Sequence, residues 1–223
     1  MKAPARAERK EHAFREAAAW SAVGAGWLPL CGKFQELGFS VEWHDFECYQ
    51  PLDWSRSFHP DSLELCFNLA GSGFITDPKQ QVQLAANTFS FYRQGSPPLV
   101  AQRQPGQRHK FITIEFSRLF LQRHLSGQTA NLHPLVRTLL DGDSQASQVA
   151  PADRLGSTLL ALIDTLRHPP VFAPAHQLWF QCKALETAAQ LFFHPPGANS
   201  SVPASSARPE SASSARASSF VSG

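Results

Sequence analysis

The residues best suited to chemistry are polar aromatics and arginines scattered through the first half of the chain. Trp43, His44, Trp54, Arg56, Tyr92, Arg93 and His109 combine flat π faces, which stack on sugar rings or planar acids, with guanidinium groups that grip anions through paired hydrogen bonds. As a set they suit a pocket for a small polar effector, a sugar or a small acid. Singly, each is equally at home on a sheet surface or barrel rim, where aromatic residues are common. Metal chemistry is a sharper test, because a metalloenzyme built on short strands brings two or three histidines and a carboxylate together from neighbouring strands. Of nine histidines, only His44, His59 and His109 fall in strand-like sequence, and no H-x-H pair occurs. No metal or other cofactor is therefore expected. His124, His133, His168, His176 and His194 fall on helical stretches or at their ends, where solvated or capping roles suit them. G-x-S-x-G, a P-loop and G-x-G-x-x-G are all missing, no nucleophile has an evident base, and GSG at 71–73 is too short to cradle phosphate. The expectation is a binding protein with no catalytic residues.

Two textures position these side chains. From 38 to 116 apolar residues tend to alternate between clusters of Gly, Pro, Asn and Asp. FSVEWHDFEC (39–48), LELCFNLA (63–70), GFIT (73–76), QVQLAANTFSFYR (81–93) and KFITIEF (110–116) read as strands, with Gly71-Ser72-Gly73 as a tight hairpin. Short strands this closely spaced form a sandwich or a barrel. Along 41–48 one parity carries Val41, Trp43, Asp45 and Glu47, the other Glu42, His44, Phe46 and Cys48; both mix polar with apolar, so alternation leaves the inner face open.

After 116 the period becomes helical. SRLFLQRHL ends near Gly127, and NLHPLVRTLLDG follows with Asn131 as cap and Gly142 as stop. A stripe of Leu155, Leu159, Leu162 and Leu166 precedes Pro169-Pro170, and a second stripe runs through Leu178, Cys182, Leu185, Ala189 and Phe192. That second stripe needs a partner, either the chain's own barrel, which is the default, or a second copy across a dimer interface.

A chain of 223 residues that is 43% hydrophobic can bury one sizeable core. Its net charge of +2 supplies no field that would draw it to nucleic acid or an anionic membrane. Cys31, Cys48, Cys66 and Cys182 form no C-x-x-C pair, which argues against a zinc site or disulfide framework and for a reducing compartment. The apolar run 17–31 imitates a secretion signal, but Glu8, Glu11 and Glu16 interrupt the basic segment before it, and Gly24, Gly26 and Pro29 break the run itself. No stretch approaches the roughly 20 apolar residues that span a bilayer. A cytoplasmic protein is expected. The last stretch, 200–223, holds ten serines and only Val202, Phe220 and Val221 as larger apolar groups, too few to offset the entropy of ordering.

A short-strand barrel, then HPLVRTLL (133–140), then HQLWFQCKALETAAQLFF (176–193) resembles the sensor and dimerisation half of AraC-type transcriptional regulators. The resemblance covers roughly 38–193. It implies an α+β protein with a cupin-like antiparallel β-barrel (a double-stranded β-helix) that holds an effector, helices beside it that pair two copies, and a separate domain of roughly 100 residues with two helix-turn-helix motifs. In place of that domain stands the serine-rich tail. Written with GC-rich codons and read one base out of register, 209 onward spells Gly-Glu-Arg-Val-Glu-Arg-Ala-Arg-Val-Val-Leu, an amphipathic helix similar to the opening of the missing domain. An insertion or deletion between about 193 and 199, followed by out-of-frame translation, accounts for the tail; a natural flexible end is the alternative.

The expected organisation is an arm (1–37), an effector-binding barrel (38–116), a helical dimerisation region (117–198) and a disordered, frame-shifted tail (199–223). The expected function is that of an effector sensor and homodimer, with no membrane association and no specific DNA binding by this chain alone. A stand-alone cupin-like isomerase or dioxygenase acting on a small polar substrate is the alternative. A surface serving only to bind a partner protein is the third.

Overall fold

Eleven strands in two antiparallel sheets form the first layers of the molecule, a computed structural model that describes residues 19–32, 34–125, 127, 131–142 and 145–194. The start of the expected arm (1–18) and the expected tail, with the frameshift reading attached to it, lie outside the described residues. The strands are β1 (Trp27–Cys31), β2 (Phe39–Cys48), β3 (Leu52–Asp53), β4 (Ser62–Ala70), β5 (Gly73–Thr76), β6 (Gln81–Leu84), β7 (Thr88–Arg93), β8 (Val100–Arg103), β9 (Gln107–Ser117), β10 (Gln148–Val149) and β11 (Asp153–Arg154). The larger sheet runs β1-β2-β9-β4-β7-β10, with β11 also on β7; the smaller runs β3-β8-β5-β6. Among the described residues five α-helices accompany them: α1 (Phe34–Leu37), α2 (Arg118–Leu125), α3 (Pro134–Asp141), α4 (Ser157–Arg167) and α5 (His176–Leu191).

The sheets face each other through Phe46, Cys66, Tyr92 and Phe111 of the larger and Ile75, Val82, Leu84 and Ala101 of the smaller. On the opposite face of the larger sheet, Phe39, Val41, Trp43, Leu65, Phe67, Ile112, Ile114 and Phe116 pack against α2 to α5 in one apolar cluster. The larger sheet is thus covered on both sides, and β2, β4, β7 and β9 are buried along nearly their whole length. The smaller sheet meets solvent on one face, so β5, β6 and β8 alternate between buried and accessible positions. The expected cupin-like antiparallel barrel followed by helices is present as two facing sheets that remain separate at their edges.

Several local expectations need correction. Gly71-Ser72-Gly73 is no hairpin: β4 belongs to the larger sheet and β5 to the smaller, so the glycines turn a corner between layers. Gly71 sits at φ +77°, and a Cβ there would lie 2.5 Å from His109 Nδ1 and 2.8 Å from the Arg108 carbonyl, so both the backbone angle and the approach to β9 require glycine. The stretch 81–93 is two strands, because the chain changes sheets between β6 and β7; Asn87, at φ +58°, supplies the left-handed residue that the turn needs. The cap of α3 is His133, whose Nδ1 accepts from the Leu135 amide, and not Asn131. Gly142, at φ +72°, ends that helix as expected. Sequence reading missed β1, which lies inside the apolar run 17–31, and β3, β8, β10 and β11, of which only β1 and β8 exceed two residues.

The leucine stripe of α4 faces the core as expected, with Leu159, Leu162 and Leu166 buried and Leu155 buried just ahead of the helix. The stripe of α5 does not. The buried face of α5 is Phe180, Ala184, Thr187 and Ala188, whose small side chains let the helix approach the sheet closely. Leu178, Cys182 and Ala189 point to solvent and Leu185 is half-buried. The default packing of that stripe on the chain's own barrel is therefore wrong for its outer positions. Phe192, completely buried against Phe91 and Phe116, belongs to the core and to no outer seam.

Candidate functional site

Between the sheets the apolar lining gives way to an enclosed polar cluster. In β2 the even positions face this space, which places His44 and Phe46 inside and sends Val41 and Trp43 to the helical side. In β9 His109 and Phe111 point inward, in β4 Cys66 and Asn68, in β7 Tyr92, and in β8 Ala101 and Arg103. Trp20, at the start of the 3-10 turn Ser21–Gly26, and Trp54, just before the 3-10 turn Ser55–Ser57, come from connecting segments and close over them.

Arg103 is the centre of the cluster. Its guanidinium lies 3.8 Å from the Phe111 ring centre and 4.8 Å from that of Trp54, donates from one terminal nitrogen to Asn68 Oδ1 (2.8 Å) and from the other to Cys66 Sγ (3.2 Å). His44 stacks on Phe111 at 4.1 Å and meets Trp20 at a tilt, 4.3 Å away. Neither ring nitrogen of His44 has a hydrogen-bond partner; the nearest carboxylate oxygen, from Glu42, is 3.6 Å away. Burial, reinforced by the Arg103 charge, holds the His44 imidazole well below the usual histidine range and hence neutral. Burial also lifts the Tyr92 phenol far above its ordinary value, with Glu64 adding to the effect, and pushes the Cys66 thiol up to about 11. Trp20 Nε1, Trp54 Nε1, the Tyr92 hydroxyl and Arg103 Nε are likewise buried with no hydrogen-bond partner. So many unmade bonds in one place are costly, since each such atom has given up its water.

A second buried polar pair flanks the cluster. Glu115 Oε2 lies 2.6 Å from His59 Nδ1, its other oxygen accepts from the His59 amide, and the His59 ring stacks on Phe34 at 3.9 Å. Among the described residues no three His, Cys, Asp or Glu side chains gather as a metal site requires.

Of the seven residues expected to line a pocket, the fold brings four together: His44, Trp54, Tyr92 and His109. His109 stands at the rim, its Nε2 2.7 Å from the Gln104 carbonyl, and burial lowers its basicity. The other three do not join them. Trp43 lies on the helical side under the Arg167 guanidinium (4.6 Å), Arg93 points the same way, where Asp61 and Arg118 are its charged neighbours, and Arg56 is exposed on its short turn. Sequence reasoning missed Arg103, Trp20, Cys66 and Asn68. The one signal for Arg103 was the parity it shares with Ala101 in VAQR, a run too short to read as a strand.

The family model of the regulatory protein PchR N-terminal domain matches residues 34–205. No curated protein is detectably similar to the chain. Among solved structures, apo ToxT from Vibrio cholerae is 9% identical over 69% of this chain and 55% of its own, with a TM-score of 0.44. The EutQ protein of Clostridium difficile is 11% identical over 44% of this chain and 65% of its own, with a TM-score of 0.31. A cupin superfamily protein from Desulfitobacterium hafniense is 16% identical over 41% of this chain and 75% of its own, with a TM-score of 0.30. The chain thus spans less than two thirds of the first two, and likenesses at this level speak for no function.

Proposed function

The chain belongs to the family of the regulatory protein PchR N-terminal domain, a domain of AraC-type regulators, and on that premise we propose that it senses a small polar molecule held between its two sheets. The observation that carries this reading is the buried polar cluster itself. Arg103, His44, Trp54, Tyr92 and Trp20 hold unmade hydrogen bonds among closely packed aromatic rings, and a ligand that entered between the sheets and made those bonds would recover what burial has cost. A molecule that binds there shifts the domain between states only by its differential affinity for them. The groups to be satisfied are polar and enclosed, which suits a sugar or a small acid and not a lipid.

Two copies pair along the open side of α5, where Leu178, Cys182 and Ala189 face solvent beside the exposed Phe172. Sensing and pairing are the tasks of this chain, and reading DNA belongs to a separate domain. No helix among the described residues is long and apolar enough to cross a membrane. The alternative, a metal-dependent isomerase or dioxygenase, has no specific geometric observation in its favour.

Thermal denaturation against a panel of sugars and small acids tests the sensing role. A ligand of the native state raises the melting temperature, and one bound between the sheets also alters the emission of the indoles of Trp20 and Trp54. Stabilisation that leaves indole emission unchanged places the ligand elsewhere and refutes the reading.

A further inference from the structure

Trp20 is 1% exposed, yet the turn that follows it is a surface feature: none of Ser21–Gly26 is buried. The indole reaches inward from that turn, with its ring centre 4.3 Å from that of His44 and 6.2 Å from each of Phe46, Trp54 and Phe111. Val23, half-buried against the same cluster, adds a small part to its hold. A tryptophan seated this deep ordinarily finds an acceptor for its N–H, but Nε1 of Trp20 has none. The seat fits the indole in shape and fails it in hydrogen bonding. A molecule of similar outline that also satisfies His44 and Trp54 makes bonds that the indole leaves unmade.

The backbone that carries the indole has a free hinge on a fixed base. Gly24 lies at φ +52° and ψ −123°, a conformation that glycine adopts without strain, and a Cβ there would meet nothing within 4 Å. Two residues on, a Cβ on Gly26 would lie 2.6 Å from Phe46 Cβ and 3.0 Å from the Asp45 carbonyl oxygen, so from Gly26 the chain is pressed onto β2 and continues as β1. The Trp27 amide holds the Gly24 carbonyl from that fixed side. On the other side of the hinge, the Val23 amide donates to the Trp20 carbonyl at 3.0 Å, a bond that travels with the turn.

Resting on the reading of the inter-sheet space as the ligand site, we propose that Trp20 is the chain's own plug for that site: without ligand its indole occupies the seat, and residues 20–23 swing outward about Gly24 when a flat molecule takes its place. Close packing of the sheets is then compatible with binding, because room is made by an exchange of occupants. The apparent affinity of a ligand is reduced by the fraction of chains whose plug is out, and removal of the indole lifts that reduction.

Two measurements on the full chain test the plug. In the wild type, hydrogen exchange of the Trp20 indole N–H, assigned with Trp20→Phe, is expected to proceed by a local opening that is nearly independent of low urea and far easier than global unfolding. Exchange of that proton only through global unfolding overturns the proposal and leaves the sensing role standing. Trp20→Ala should still fold, and free indole, which matches the vacated outline, should raise its melting temperature and bind it about tenfold or more tighter than the wild type by titration calorimetry. A Trp20→Ala chain that fails to fold makes the indole an ordinary core member and overturns the plug, as does indole that binds both proteins alike or neither. Failure of the sensing role looks different: Trp20 opens locally and indole refills the variant, but no sugar or small acid stabilises either protein.

Discussion

Two neighbouring residues of α5 separate packing within the chain from pairing between chains. Phe180 is 1% exposed and faces the sheet, whereas Leu178 is 68% exposed and faces away. Truncating Phe180 to Ala removes a ring from a filled core, which costs about 3–5 kcal/mol of folding stability. Leu178→Ser removes a side chain that does little for the monomer. Full burial of a leucine is worth about 1.5–3 kcal/mol, so covering the exposed two thirds of Leu178 contributes about 1–2 kcal/mol per copy. A two-fold interface counts it twice, giving about 2–4 kcal/mol and a dimer Kd weaker by about 30-fold to about 1000-fold. Sedimentation equilibrium reads the association and thermal denaturation reads the fold. The expected pattern is dissociation without loss of melting temperature for Leu178→Ser and a lowered melting temperature for Phe180→Ala. A wild-type chain that is monomeric at all accessible concentrations, or a Leu178→Ser variant that stays fully paired, refutes the pairing role of this face. Leu185→Asp is a poorer probe, because Leu185 also packs partly against the chain's own core.

The protein should lose stability as the pH falls below about 6.5. Burial keeps His44, His109 and His133 neutral in the native state, His133 down to about 4, whereas the unfolded chain protonates them near 6.5. Between those values the unfolded state binds more protons, so the native state is favoured above 6.5 and loses ground below it; enclosed His44 alone contributes a slope of up to about 1.4 kcal/mol per pH unit. Urea denaturation at a series of pH values should show a smaller acid-side slope in His44→Asn, and an unchanged slope would contradict this origin. Gly71→Ala should destabilise by more than about 1 kcal/mol, since it combines a positive φ with a Cβ pressed on His109 and the Arg108 carbonyl. A neutral outcome in thermal denaturation would mean that the corner between the sheets is loose.

The long strands of the larger sheet were legible because their apolar, branched and aromatic runs are long; β2 falls on the residues that the sequence pattern indicates, as does β5 of the smaller sheet. Which way their side chains point was not legible, for a physical reason. With the smaller sheet on one face and helices on the other, both parities of 41–48 are buried, so alternation carries no label for inside and outside. That ambiguity left Trp43 and Arg93 in the expected pocket when they face the helices. Arg103 was hidden differently: an isolated arginine in a four-residue strand looks like a solvent-facing charge, and only the closing of one sheet over the other encloses it. In α5 the more conspicuous stripe of larger residues is the outer one, while the face that packs is built from Ala184, Thr187 and Ala188 around Phe180. Short side chains at a close helix-to-sheet contact leave a weak hydrophobic signal.

The central claim is that the space around Arg103 receives the ligand. A shallow groove of about 220 Å³ between α1 and α2, lined by Phe34, Glu36, Leu37, Leu119, Phe120 and Arg123, is the natural competitor because it is already open. Amide hydrogen exchange, with and without a ligand that raises the melting temperature, compares the two directly. Slowed exchange centred on β8 and on the His44 and Phe111 segments of β2 and β9, with Phe34–Leu37 unchanged, is the predicted result; slowing confined to α1 and α2 would contradict the account.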